Sequence, residues 1–146
     1  MGVRHYLKTM NFEAISKTVR AVGIKEWIVD DGIVDEATYK KKLREINGVK
    51  DGEATFASEP SVKWSTFKAK YDEIFAEFPK NKLRERRTEL LVKSDWSQGN
   101  DVPDALKTKW KTYRQQLRDL PATAKPTLNA DGSLNESSVT WPTEPS

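Results

Sequence analysis

Five large apolar residues, Leu106, Trp110, Tyr113, Leu117 and Leu120, follow one another at steps of four, three, four and three. That spacing holds all five on one face of an α-helix, whereas a strand would throw them onto opposite faces. The stripe is an a/d-like seam and has to be buried against another helix, of this chain or of a partner. Asp101, Pro103 and Asp104 announce the start of this helix. A proline fits the first turn, and carboxylates favour the positive end of the helix dipole. Pro121 is expected to stop it.

The packing partner is sought just upstream, where residues 81–92 read as a second helix with Leu83, Leu90 and Leu91 turned inward and Ser94-Asp95-Trp96 as its break. Two antiparallel helices joined by residues 95–103 make a helical hairpin, with Trp96 placed to close its end.

Further upstream, Trp64, Phe67, Tyr71, Ile74, Phe75 and Phe78 recur at helical steps until Pro79 ends the run. Such a stripe serves either as a docking face or as the protein's own core, and packing is the commoner use. Asn11 can cap a helix through Val22, with Phe12, Ile15, Val19 and Val22 at helical spacing and Gly23 as its stop. Residues 24–29, then Asp31-Gly32, then Ile33-Val34 predict a short β-hairpin, because Asp-Gly readily supplies positive φ angles. Asp35 caps a helix expected to reach Ile46, and Asn47-Gly48, Asp51-Gly52 and Pro60 mark a polar connection. The expected division is an N-terminal lobe over residues 1–60, a helical module over 61–121 and an extended tail over 122–146. The tail is rich in Pro, Ser, Thr and Asn, but Ser138-Val139-Thr140-Trp141-Pro142 has the content of a short edge strand. Trp141 brings a large apolar area to bury, against its own domain or a neighbouring copy, so a homo-oligomer is compatible with the tail. The fold class expected is mainly α with a minor β part: the helical hairpin, a small α-rich lobe with a β-hairpin before it, and the tail after it.

Composition narrows the function classes. No cysteine is present, which removes disulfide scaffolds and thiol chemistry and fits a reducing cytoplasm. The start of the chain lacks a signal-peptide run, and no apolar stretch has transmembrane length, so neither secretion nor a membrane is expected. The net charge of +3 would suit nucleic acid only if segregated. Residues 1–60 carry ten basic and ten acidic side chains, residues 61–121 fourteen and nine, and residues 122–146 one and three. Within the basic stretch 80–93, Glu85 and Glu89 interrupt Lys80, Lys82, Arg84, Arg86, Arg87 and Lys93, as in a solvated helix laced with ion pairs.

Catalytic material is scarce. His5 is the only histidine, so Ser-His-Asp arrangements and multi-histidine metal sites have nothing to build on, and its expected role is inert surface. Asp30-Asp31-Gly32 hints at calcium, but an EF-hand alignment puts Trp27 at the first ligand position. No Gly-rich phosphate loop occurs. The expectation is a non-enzyme with no cofactor and no metal.

One family resemblance is carried by the residues themselves. The run Leu83-Arg84-Glu85-Arg86-Arg87-Thr88-Glu89-Leu90-Leu91, then Ser94-Asp95-Trp96-Ser97-Gln98, Asp101-Val102-Pro103, Trp110, Tyr113-Arg114-Gln115-Gln116-Leu117-Arg118-Asp119-Leu120-Pro121 and Val139-Thr140-Trp141-Pro142 resembles the bacteriophage tail-assembly-chaperone module over residues 83–145. Thr88 stands where the family usually has Asn, and Gly99-Asn100 where an apolar-plus-Pro linker is usual. The resemblance implies binding to a tail, tail-fibre or other virion protein in the host cytoplasm. Arg84, Arg87, Arg114 and Arg118 flank the seam, where they either pair with Asp95, Asp101 or Asp119 or clamp a client. Trp96 and Trp141 are the candidate anchors of such a contact. Three functions compete: a transient chaperone, a permanent virion component such as a fibre, baseplate or capsid-surface protein, and nucleic-acid binding through helix 80–93.

Overall fold

The structure, a computed structural model, describes residues 9–146; His5 lies outside the described residues. The chain is mainly α with a minor β part and divides into two compact units, Met1–Ala76 and Glu77–Ser146. The sequence suggested a division near Pro60; the aromatic helix packs into the first unit and carries the division past Ala76.

The first unit opens with α1 (Phe12–Ala21), capped by the Asn11 side chain, which accepts from the Ala14 N–H. Ala14, Ile15 and Val19 are buried, while Phe12, expected on the same stripe, is 65% exposed and lies 6.4 Å from the Trp27 ring. Gly23, at φ +89°, ends the helix as anticipated.

The hairpin expected around Asp31-Gly32 does not form. Strand β1 (Trp27–Val29) instead pairs antiparallel with β2 (Leu43–Lys50), Val29 opposite Leu43. Ile33 is withdrawn into the core, and its carbonyl accepts from the Met10 N–H at 2.9 Å. A capping box between Asp35 and Thr38 then commits the next residues to α2 (Glu36–Lys42). Two residues, Ile33-Val34, were too short a partner for β1, and the eight of β2 were not. The same pairing shortens α2: Leu43 is buried and extended, so residues expected to continue a helix to Ile46 become strand. Tertiary pairing outweighs the weak local helix preference here. The actual hairpin joins β2 to β3 (Glu53–Phe56) through Asp51-Gly52, both at positive φ, a turn whose twist suits antiparallel strands. Asn47 is an extra residue in the ladder, between the pairs Ile46–Phe56 and Gly48–Thr55.

Helix α3 (Trp64–Ala76) uses its aromatic stripe for the core of this unit. Phe67 and Tyr71 are buried, and the Tyr39 ring sits 4.7 Å from Phe67 and 5.2 Å from Trp64. The Tyr39 hydroxyl donates to the Val62 carbonyl, and the Tyr71 hydroxyl accepts from the Asn11 N–H at 2.8 Å, tying α3 to the start of α1.

The second unit is the helical hairpin. Pro79 both ends α3 and occupies the first turn of α4 (Phe78–Lys93), where its missing N–H costs nothing. Phe78 thereby belongs to this unit, not to the aromatic stripe. A tight helical turn, Asp95–Gln98, leads to α5 (Asp104–Thr123), which packs on α4. Pro121 lies inside α5 rather than ending it. Only one late backbone bond is lost to it, and the Ala124 N–H still reaches the Leu120 carbonyl at 2.9 Å. A small ladder then forms between β4 (Thr127–Leu128) and β5 (Leu134–Asn135). The edge strand expected at Ser138–Pro142 is absent. The Ser138 hydroxyl bonds the Thr127 N–H and the Asn135 carbonyl, holding this stretch in a turn, and Pro142 offers no donor to a ladder.

Candidate functional site

The C-terminal half of the chain gathers the sequence-selected residues in three places. The first is the interior of the hairpin. Leu83, Tyr113 and Leu117 are buried, and Leu106, Trp110, Leu120, Leu90 and Leu91 are half-buried along the same seam. Tyr113 titrates above the ordinary phenol range, first through burial, then through the Glu144 carboxylate, against the opposing charge of Arg86.

The second place is the junction of α4 and α5, and it is built around Arg114. Although charged, this side chain is only 8% exposed. One terminal nitrogen donates to the Leu91 carbonyl at 2.6 Å and to Ser94 Oγ at 2.7 Å; the other donates to Asp95 Oδ1 at 2.8 Å. A guanidinium fork serves three acceptors that a lysine could not reach together. Those acceptors include the Leu91 carbonyl in the last turn of α4, which also accepts from the Ser94 N–H and hydroxyl and where a cation is favoured. Ser94 and Ser97 are buried, and the Ser97 hydroxyl donates to the Ser94 carbonyl at 2.6 Å. The Gln98 amide donates to Ser97 Oγ and, at 3.3 Å, to the Lys107 carbonyl on α5. Sequence reasoning placed Ser94 in the helix break and Ser94, Ser97 and Gln98 in the family resemblance, but gave none of them a site role. Their signal was the compact Ser-Asp-Trp-Ser-Gln string, whose small hydroxyls suit a tight turn.

The other arginines part company with Arg114. Arg84 donates to Asn81 Oδ1 on its own helix, and Arg87 reaches the Arg118 carbonyl at 3.3 Å. The Arg118 side chain is exposed, and Asp119 accepts from Gln115 instead. So of the pairings expected with Asp95, Asp101 and Asp119, one forms, Arg114 with Asp95. Arg84 and Arg87 direct their donors to Asn81 and to the Arg118 carbonyl instead. Arg86, not singled out beforehand, bonds Glu89 at 2.8 Å and Glu136 of the tail at 2.9 Å. No local pattern links two residues fifty positions apart.

The third place is the surface. Trp96 does not close the hairpin: its ring meets Trp110 edge-on at 5.2 Å but stays 55% exposed, with Val92 also exposed nearby in sequence. Trp110 in turn meets Tyr113 edge-on at 5.5 Å, so an aromatic ladder runs from the surface to the core. Trp141 is half-buried, and with Gln116, Asp119, Leu120 and Thr123 of α5 it borders a groove of about 610 Å³. Among the described residues, no cluster of three or more His, Cys, Asp or Glu side chains could hold a metal ion.

Residues 80–146, a little under half of the chain, match the family described as phage tail assembly chaperone protein. Over these residues the chain is similar to that family. The match begins in the first turn of α4 and runs to the last residue, so the matched segment and the second compact unit nearly coincide. No curated protein and no solved structure matches the chain. Within the module, the Arg-rich helix, the Asp-Trp turn and the Tyr-Arg-Gln helix correspond to α4, the tight turn and the Arg114 segment of α5.

Proposed function

We propose that this protein binds a tail or tail-fibre structural protein during phage tail assembly in the host cytoplasm, and that it does so without catalysis. The observation that carries the proposal is the exposed Trp96, mounted on a turn that Arg114 holds through the Ser94 and Asp95 side chains and the Ser97 hydroxyl holds through the Ser94 carbonyl. A large aromatic side chain on a rigid base is the usual anchor of a protein interface, since little side-chain entropy remains to be lost on binding. Arg84 and Arg118 lie on exposed helix faces and supply rim contacts, while Arg87 and Arg114 are engaged within the module. No helix among the described residues is long and apolar enough to cross a membrane.

The test is mass spectrometry of purified virions beside infected-cell lysate, combined with co-purification of this chain and the tail proteins encoded with it. A transient chaperone is found with a tail protein in the lysate and is lost from mature particles. Stoichiometric retention in the particle would replace that reading with a permanent virion component.

A further inference from the structure

We propose that residues 139–146 are a displaceable strap, occupying in cis a docking surface on the helical hairpin that takes an acidic, proline-containing client segment with an aliphatic residue two positions before an aromatic one. The identity of the client rests on the chaperone reading above; the strap does not.

Three observations carry the proposal. First, the strap is seated: Val139 is 7% exposed and Trp141 half-buried, so the chain's own Val-Thr-Trp-Pro sequence already displays what the surface accepts. Second, the strap is weakly held. Residues 140–146 form neither helix nor strand and make no backbone hydrogen bond among the described residues. The ionic latch beneath it, Arg86 to Glu136, is between side chains 40% and 55% exposed, where a pair contributes little. Third, the fit is incomplete. The groove of about 610 Å³ stays open between the strap and the last turns of α5, and the enclosed Trp141 Nε1 donor has no acceptor. A well-packed core leaves neither.

Charge selects the partner. Arg86 holds Glu136 at 2.9 Å, so an acidic residue placed three positions before Val139 is matched by a cation on α4. A client segment that replaces the strap has to present the same arrangement, and its backbone carbonyls can supply the acceptor that Trp141 lacks.

The test uses a labelled peptide of residues 136–146 and fluorescence anisotropy against the full chain. In the native chain the tethered strap competes at an effective concentration on the order of millimolar, so peptide binding is suppressed. Loosening the strap by the double change Val139→Ser and Trp141→Ala is expected to tighten peptide binding by at least ~10-fold, with helical circular dichroism unchanged. A peptide with Glu136 replaced by Lys is expected to bind more weakly. Equal affinity for the native and the folded double variant overturns the proposal, as does indifference to the peptide's charge. Should the double variant lose its helices, Glu136→Ala in the full chain releases only the latch and is expected to tighten binding about two- to fivefold; no change there also overturns it. The assay contains no tail protein, so its failure leaves the chaperone reading standing, and loss of that reading leaves this result intact.

Discussion

Replacing Arg114 by Met deletes the one charge that the second unit holds in its interior and leaves a side chain of comparable length. Three bonds disappear, to the Leu91 carbonyl, Ser94 Oγ and Asp95 Oδ1. They do not count equally. Asp95 has a side chain 62% exposed, so its carboxylate is rehydrated at once and that part amounts to under about 1 kcal/mol. The Leu91 carbonyl and Ser94 Oγ lose a charged donor, each such bond contributing about 1.5–3 kcal/mol. Methionine regains part of this by packing, because a buried charge carries a desolvation cost that vanishes with it. The expected net loss is about 2–4 kcal/mol, or roughly 10–25 °C in the melting temperature of a unit this size. Urea unfolding followed by tryptophan fluorescence is the suitable assay: urea is uncharged, and Trp96 and Trp110 report on this unit. Asp95→Ala serves as the internal comparison, with an expected cost under about 1 kcal/mol. Arg114→Met within about 1 kcal/mol of the native chain, or Asp95→Ala as costly as Arg114→Met, would refute the assignment of the lock to buried backbone and hydroxyl acceptors.

Leu117 is completely buried in the hairpin seam, so Leu117→Ala is expected to cost about 2–5 kcal/mol in the same urea experiment. Trp96→Ala, at an exposed site, should leave stability within about 0.5 kcal/mol yet weaken binding to the tail partner by ~30-fold or more, measured by calorimetry. Tyr39, Tyr71 and Tyr113 all titrate above the ordinary phenol range, each mainly because burial disfavours the phenolate; the Asn11 N–H opposes this at Tyr71 and Arg86 opposes it at Tyr113. The folded state therefore holds its protons longer than the unfolded one, and the stability this gives is full below about pH 10 and is lost as pH rises through the folded values. Tyrosinate absorbance of these three should accordingly rise together with the loss of near-ultraviolet circular dichroism; formation of more than one of the chain's four phenolates at the ordinary value with the fold intact would contradict it.

Several elements were legible because their causes are local. Asn11, the step-three and step-four apolar spacing of α1 and α5, and the positive φ of Gly23 each act within one or two turns of chain. Residues 43–50 were misjudged because their fate depends on β1, reached only after α2 has reversed the chain. Pro121 was overrated as a stop because a proline in the last turn forfeits a single bond. The four arginines flanking the seam looked equivalent in sequence. What separates Arg114 from Arg84, Arg87 and Arg118 is its position opposite the C-terminal end of α4, a property of how the two helices cross. The link between Arg86 and Glu136 had no local signature at all.

These failures share a physical origin that bears on how the module works. Two helices alone cannot enclose a seam containing Leu83, Tyr113 and Leu117, because each presents only one face to the other. Something must cover the remaining side. In this chain the cover comes from the tail, through Val139, Trp141 and the Arg86–Glu136 latch, and it arrives without sheet pairing. A cover assembled from a few side-chain contacts and an exposed ion pair is held less firmly than a paired strand or a packed helix would be. The Arg114 bonds lie within the hairpin itself, so the displacement of the cover proposed above leaves them in place.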